Sequence, residues 1–262
     1  MGPMSLAVDA QGRTYILDEI NGRIVRRDAD GKPEATIPLH QQTPDDIAIA
    51  SDGSIAVLDR TAGKEVALYD SSGALQGSLP LVGSGLTDPG EVTSIITDGN
   101  DVYAELEHDK LVKLGDTSGT AASSRTTLSG RPSRDGKSLL SAVIADANAG
   151  RVRVTSIVRA SGAVRFARDI ALVPIIHQIL LLDTDLSGTI YFAVEFQRPG
   201  AAAKVTLSCL DAETGAVIGG ALLPANTMPE ESFRDFAVLD DGGVIYALRS
   251  NAGVTYQRYY CG

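Results

Sequence analysis

The chain has 262 residues, with 23 Lys or Arg against 33 Asp or Glu and a formal net charge of −10. No cluster of Lys and Arg is present of the kind a phosphate backbone requires, which excludes a nucleic-acid partner. Aromatic residues are few, with no Trp, five Phe and eight Tyr, so the core must be built from Val, Ile, Leu and Ala. The longest apolar stretch, 170–182, is broken by Pro174, His177 and Gln178. It is too short to cross a bilayer, and no membrane insertion is expected.

The opening MGPMSLAVDAQGR has neither a basic start nor the apolar run of a secretory signal. That leaves a cytosolic chain or an extracytoplasmic one, periplasmic or secreted, with its signal removed, and the reading leans to the second. Cys209 and Cys261 permit one disulfide without requiring it.

From Met4 to Leu39 the sequence reads as four short strands, SLAVDA, TYILDE, RIVRRD and EATIPL. They are joined by polar turns carrying Gly12, Asn21-Gly22 and Asp30-Gly31, the composition of tight β-turns. The unit recurs. Counterparts of Gly12 are Gly53, Gly99, Gly136, Gly188 and Gly243, at spacings of roughly 40 to 55 residues, the length of a propeller blade. An apolar or aromatic residue follows each: Tyr15, Ala56, Val102, Leu139, Tyr191 and Tyr246. A second turn glycine comes later in five units, at Gly31, Gly73, Gly119, Gly162 and Gly215.

In unit six that second turn would fall on Gly262, so the last blade is expected to lack its outer strand. Unit four is compressed, and its first strand or the last strand of unit three must be short. The stretch 137–149, KSLLSAVIADANA, is rich in Ala and Leu, but its alignment with TYILDEINGR makes it a strand. Helical periodicity is nearly absent. No linker interrupts the series, which predicts one domain over 1–262. Its blades fall near 1–40, 41–85, 86–128, 129–174, 175–228 and 229–262.

Unit one resembles an NHL repeat through Pro3, Leu6, Val8, Gly12, Ile16, Asp18, Asn21, Arg23, Ile24, Asp28 and Gly31. Unit two keeps Pro44, Ile47, Ile49, Asp52, Gly53, Asp59, Asp70 and Gly73, with Ala62-Gly63-Lys64 where Asn-x-Arg would stand. Unit three keeps Pro89, Asp98 and Gly99, with Glu105 in place of the Asp. Units four to six keep little beyond the turns. The resemblance implies an all-β, six-bladed β-propeller of four-stranded antiparallel blades. It implies binding as the usual role, while some related six-bladed propellers are lyases or hydrolases with a metal in the central channel.

In such a fold the loops after each second strand and before each first strand share one face. The second-strand ends carry Asp18, Glu19, Asp59, Arg60, Glu105, Glu107, Glu195 and Arg249, the candidate binding residues. The first-strand entrances add Asp45, Asp46, Glu91 and Arg234. The functional reading is an acidic surface for a cationic or metal-bridged partner. The structural one is that Asp18 and Asp59 hold their own turns. His40, His108 and His177 fall on the same face as a zinc candidate, although no pair has ligand spacing. Asp183, Asp185 and Ser187 alternate oxygen ligands as a calcium loop does, but Val194 stands where a Glu should close it. An acidic β-turn accounts for them as well. Gly130-RPSRD-Gly136-Lys137-Ser138 has one residue too many between its glycines for a phosphate-binding loop.

The expectation is a binding, sensor or scaffold module without chemistry or cofactor of its own, for a protein, peptide or glycan. The alternatives are a metal-dependent lyase or hydrolase and a structural piece of a larger assembly. The edge at Thr255 to Tyr260 is a place where a partner strand could add.

Overall fold

The computed structural model describes residues 3–106, 110–228 and 232–261. It is all-β apart from a short 3-10 turn, Pro89–Glu91. Blade one comprises β1 (Ser5–Val8), β2 (Thr14–Asp18), β3 (Arg23–Arg27) and β4 (Pro33–Pro38). Blade two comprises β5 (Asp46–Ile49), β6 (Ile55–Asp59), β7 (Glu65–Tyr69) and β8 (Leu75–Pro80). Blade three has β9 (Val92–Asp98), β10 (Asp101–Leu106), β11 (Lys110–Asp116) and β12 (Thr127–Ser129). Blade four has β13 (Arg131–Pro132), β14 (Ser138–Asp146), β15 (Arg151–Val158) and β16 (Val164–Ala171). Blade five has β17 (Ile176–Thr184), β18 (Ile190–Phe196), β19 (Lys204–Leu210) and β20 (Val217–Pro224). Blade six has β21 (Phe236–Val238), β22 (Gly243–Ser250) and β23 (Gly253–Tyr260).

Among the described residues, each of the first five sheets orders its four strands as in the chain, and the sixth has three. This is a six-bladed β-propeller whose last blade has three strands. The spacing of the glycines required β12 or β13 to be short, and both are.

Burial explains the strand patterns. The first four residues of β2 and all five of β6 are buried, and strands buried along their length read as continuous apolar runs. The outer strands β4 and β8 bury one apolar residue each, Ile37 and Leu79, among exposed neighbours.

The chain divides into two compact units, Met1–Leu128 with Glu230–Ala237, and Ser129–Pro229 with Val238–Gly262. In the first, β1 lies against β5 and β5 against β9. One apolar cluster there includes Tyr15, Leu17, Ile24, Ile47 and Val57, and another Leu58, Val66, Leu79, Ile95 and Val112. In the second, Leu140, Val152, Val154, Phe192, Val194 and Leu210 pack together. There Cys209 in β19 is bonded to Cys261, with Cα atoms 6.1 Å apart.

The turn glycines behave as the repeat predicts, with one correction. Gly12, Gly53, Gly99, Gly136 and Gly188 have positive φ, but in unit six the positive φ belongs to Gly242 and not Gly243. The Leu239 N–H bonds to the Gly243 carbonyl as the Asp9 N–H does to Arg13 and the Asp185 N–H to Thr189. Gly242 is therefore the counterpart of Gly12, and Ile245 takes the slot of Tyr15. The doubled glycine hides this one-residue shift in the sequence.

Candidate functional site

The polar residues of the first unit concentrate where the inner strands β1, β5 and β9 begin. Asp46 opens β5 and is fully buried. Its Oδ1 accepts the Ser5 hydroxyl at 2.5 Å, and its Oδ2 accepts the Ile95 N–H at 2.9 Å. Arg234 Nη2 donates to the same Oδ2 at 3.0 Å, and also to Ser94 Oγ at 3.1 Å and the Ile95 carbonyl at 2.7 Å. The Met4 carbonyl accepts the N–H of Phe233 at 2.9 Å, which fixes the segment that carries Arg234. A buried charge needs this degree of satisfaction to be tolerated.

Beside this knot, Arg60 lies over the Phe233 ring, 4.4 Å from its centroid, a cation–π contact. The Arg60 N–H bonds to Asp45 at 3.0 Å, and its guanidinium lies 3.6 Å from that carboxylate. Burial nevertheless outweighs Arg60 and raises the Asp45 carboxyl above the ordinary aspartate value.

Two carboxylates at the second-strand ends, Asp59 and Asp18, hold their own turns. Asp59 is 1 % exposed and accepts the Thr43 hydroxyl at 2.7 Å and the N–H groups of Ala62 and Gly63 at 2.9 and 3.0 Å. Burial pushes its carboxyl up, but these bonds outweigh it and the group lies below the ordinary range. Asp18 accepts from Asn21 at 2.8 Å and from Arg23 Nε at 2.8 Å, and it is lowered by the same contest. Glu19 is half-buried, and its carbonyl accepts the Gly22 N–H. Glu105 is buried in β10. Glu107 and His108 lie outside the described residues.

The remaining candidates belong to the second unit. Arg249 is 3 % exposed, with its N–H on Asn226 Oδ1 at 2.8 Å. Glu195 accepts from Gln178 at 3.1 Å and lies 3.9 Å from His177 Nδ1. Asp183 accepts its neighbour's N–H, from Thr184. Asp185 is buried, and its Oδ1 takes the Ser187 hydroxyl and the N–H groups of Ser187 and Thr189, while its Oδ2 takes the Tyr191 hydroxyl at 3.0 Å.

Asp9 makes the same set in blade one, with the N–H groups of Gln11 and Arg13 on Oδ1 and the Tyr15 hydroxyl on Oδ2 at 3.0 Å. Burial first and then Asp9 push the Tyr15 phenol up to about 12. At its calcium-like spacing blade five thus repeats the turn hydrogen bonding of blade one. In the first unit His40 stacks on Tyr69, with ring centroids 6.5 Å apart. Among the described residues, no three His, Cys, Asp or Glu side chains gather as metal ligands would.

Sequence reasoning placed Asp46 and Arg234 on the entrances of their strands but did not join them. A signal exists for half of the pair. Ser5 and Asp46 fill the same slot ahead of Gly12 and Gly53, so a charge at one copy of an inner-strand position calls for a partner. The sequence separation of 188 between Arg234 and Asp46 leaves no local trace of which cation answers it.

The fold and these sites define a propeller of the six-bladed class. No family model matches the chain, and no curated protein does. Among solved structures, Kuenenia stuttgartiensis hydrazine synthase is similar over 100 % of this chain and 96 % of that one, at 13 % identity and a TM-score of 0.55. A streptogramin B lyase structure is similar over 98 % of this chain and 94 % of that one, at 11 % identity and a TM-score of 0.51. At these identities the likeness is one of fold.

Proposed function

We propose that this protein is an NHL-like binding propeller, a sensor or scaffold that displays short rigid loops to a protein, peptide or glycan. One observation carries the reading. The carboxylates a metal-dependent enzyme would recruit from these loops, Asp18, Asp59 and Asp185, are engaged by donors from their own turns or blade. Groups engaged in this way stiffen a loop and give a partner a fixed surface at low entropic cost.

The face we assign to the partner is that of the first three blades, around the Asp46–Arg234 knot. Its half-buried and exposed side chains there include Glu19, Gln41 and Glu91. No resident cofactor is needed for this role. The Cys209–Cys261 bond supports an extracytoplasmic setting, where disulfides persist. Strand β23, the end strand of its three-stranded sheet among the described residues, offers a second contact by strand addition at Thr255 to Tyr260.

The test is binding of the purified chain to arrayed peptides and glycans, repeated with Glu19→Arg and Glu91→Arg. A ligand retained by the parent and lost by these exposed-loop variants supports the reading. Turnover of a bound ligand would replace it with the lyase or hydrolase alternative.

A further inference from the structure

An asparagine followed by glycine can change its own covalent structure with water as the sole reagent. Asn21-Gly22 is the one such pair in the chain. Asn100, Asn148, Asn226 and Asn251 precede Asp, Ala, Thr and Ala, whose Cβ atoms crowd the main-chain nitrogen that has to attack. Gly22 carries no Cβ, its φ is +57°, and an added Cβ there would meet nothing within 4 Å. Asn21 itself is exposed.

The pair lies in the loop between Asp18 of β2 and Arg23 of β3, which face each other at the end of the hairpin. Asn21 Nδ2 donates to both Asp18 oxygens, at 2.8 and 2.9 Å. The Gly22 N–H donates to the Glu19 carbonyl at 3.0 Å, and the Gly22 carbonyl accepts the Leu39 N–H at 2.8 Å. Blade two closes its corresponding turn on the main chain, with the N–H groups of Ala62 and Gly63 on Asp59. Blade one rests its turn on a side-chain amide, a group that can be lost.

We propose that Asn21 is a site of spontaneous deamidation and that Asp18 governs its rate. The Gly22 nitrogen bonds to Asn21 Cγ, the Cγ–Nδ2 bond breaks, and the proton lost from Gly22 leaves with the amide as ammonia. The five-membered imide then takes up one water at either carbonyl and opens to aspartate or isoaspartate. Nothing is oxidised or reduced. Ring closure requires the amide to leave Asp18 and the Gly22 nitrogen to leave Glu19, so the folded turn slows the step that its sequence invites.

The product undoes the turn. The new carboxylate faces that of Asp18 with no proton between them, two like charges in contact, and Arg23, 2.8 Å from Asp18, must answer both. Isoaspartate also routes the main chain through its own Cβ, which displaces Gly22 from Glu19 and Leu39. The conversion is a property of the turn and stands apart from the partner assigned to Glu19.

The test is ageing of the whole folded chain at mildly alkaline pH, followed by trypsin and mass spectrometry. Cleavage after Arg13 and Arg23 isolates residues 14–23, in which Asn21 is the sole asparagine. Asn148 and Asn251, both exposed, are internal references. In the parent, Asn21 should convert ahead of both. Asp18→Ala should speed its conversion about tenfold, the worth of a hydrogen bond to a charged group, and leave the references unchanged. Asp18→Asn keeps an acceptor and should fall between the two. Conversion of Asn21 no faster than the references overturns the site. An Asp18→Ala rate equal to the parent's overturns the role of Asp18, and so does an acceleration shared by the references, which would report general unfolding.

Discussion

In blades one to three, strands from separate blades are tied by a buried carboxylate: Asp46 gathers Ser5, Ile95 and Arg234. In blades four to six, a comparable tie is covalent, with Cys209 of β19 joined to Cys261 across a sequence separation of 52. The first set of blades has short strands and clear repeat turns, and the second has longer strands, up to nine residues in β14 and β17. Blades that bury little alone need ties between them. A polar tie demands full hydrogen bonding, whereas a disulfide tolerates a drifting sequence around it. The difference matches where the repeat signature survives and where it fades.

This contrast can be broken first at its polar half. Arg234→Ala leaves the fully buried Asp46 carboxylate short of its counter-charge, and the expected loss is roughly 3–5 kcal/mol in urea denaturation. Asp46→Asn added to that variant should recover part of the loss, since it removes the stranded charge. The covalent half should respond to reductant. Cys209→Ser with Cys261→Ser, or dithiothreitol on the parent, should cost up to about 4 kcal/mol by the loop-closure argument. A smaller loss than that of Arg234→Ala would sharpen the contrast.

Asp59→Ala orphans buried donors in one turn, and the same denaturation series should show a loss of about 1–3 kcal/mol. Asp18→Ala breaks a more exposed pair and should cost less than about 1 kcal/mol. If Asp18 proved as costly as Asp59, burial would not be what separates the two turns.

Acid titration probes the turns together. Burial pushes Asp18, Asp52, Asp59 and Asp135 up, but hydrogen bonds outweigh it and hold all four below the ordinary value of 3.8. A carboxyl lowered on folding contributes stability above its unfolded pKa, and that contribution is lost as pH falls through the folded one. Asp45, raised chiefly by burial, has the opposite sign, with its share present at low pH and lost as pH rises. With four groups against one, the melting temperature should fall as pH drops below about 4.

Much of the fold was legible because the repeat states itself in its turns. Gly31, Gly73, Gly119, Gly162 and Gly215 all have the positive φ that their spacing implied, and Met4 to Leu39 forms the four strands read from it. The compressed unit announced that β12 or β13 must be short, and both are. What the sequence concealed was of two kinds. Gly242 and Gly243 are adjacent, so a spacing argument could not choose between them. The Asp46–Arg234 pair joins residues far apart in the chain, and local pattern carries no record of it, while two cysteines alone left open whether Cys209 and Cys261 were bonded. At the candidate site a turn aspartate and a ligand aspartate share one spacing and differ only in the donors that reach them. Asp185 is the case in point, with the spacing of a calcium ligand and the hydrogen bonds of Asp9.

As proposed above, these carboxylates serve the frame of a binding module and hold no catalytic metal. Metal analysis of the purified chain, paired with its melting temperature before and after a chelator, tests this most directly. A binding module of this kind should carry no stoichiometric metal and keep its melting temperature unchanged. One equivalent of zinc or calcium, whose removal lowers the melting temperature, would contradict it.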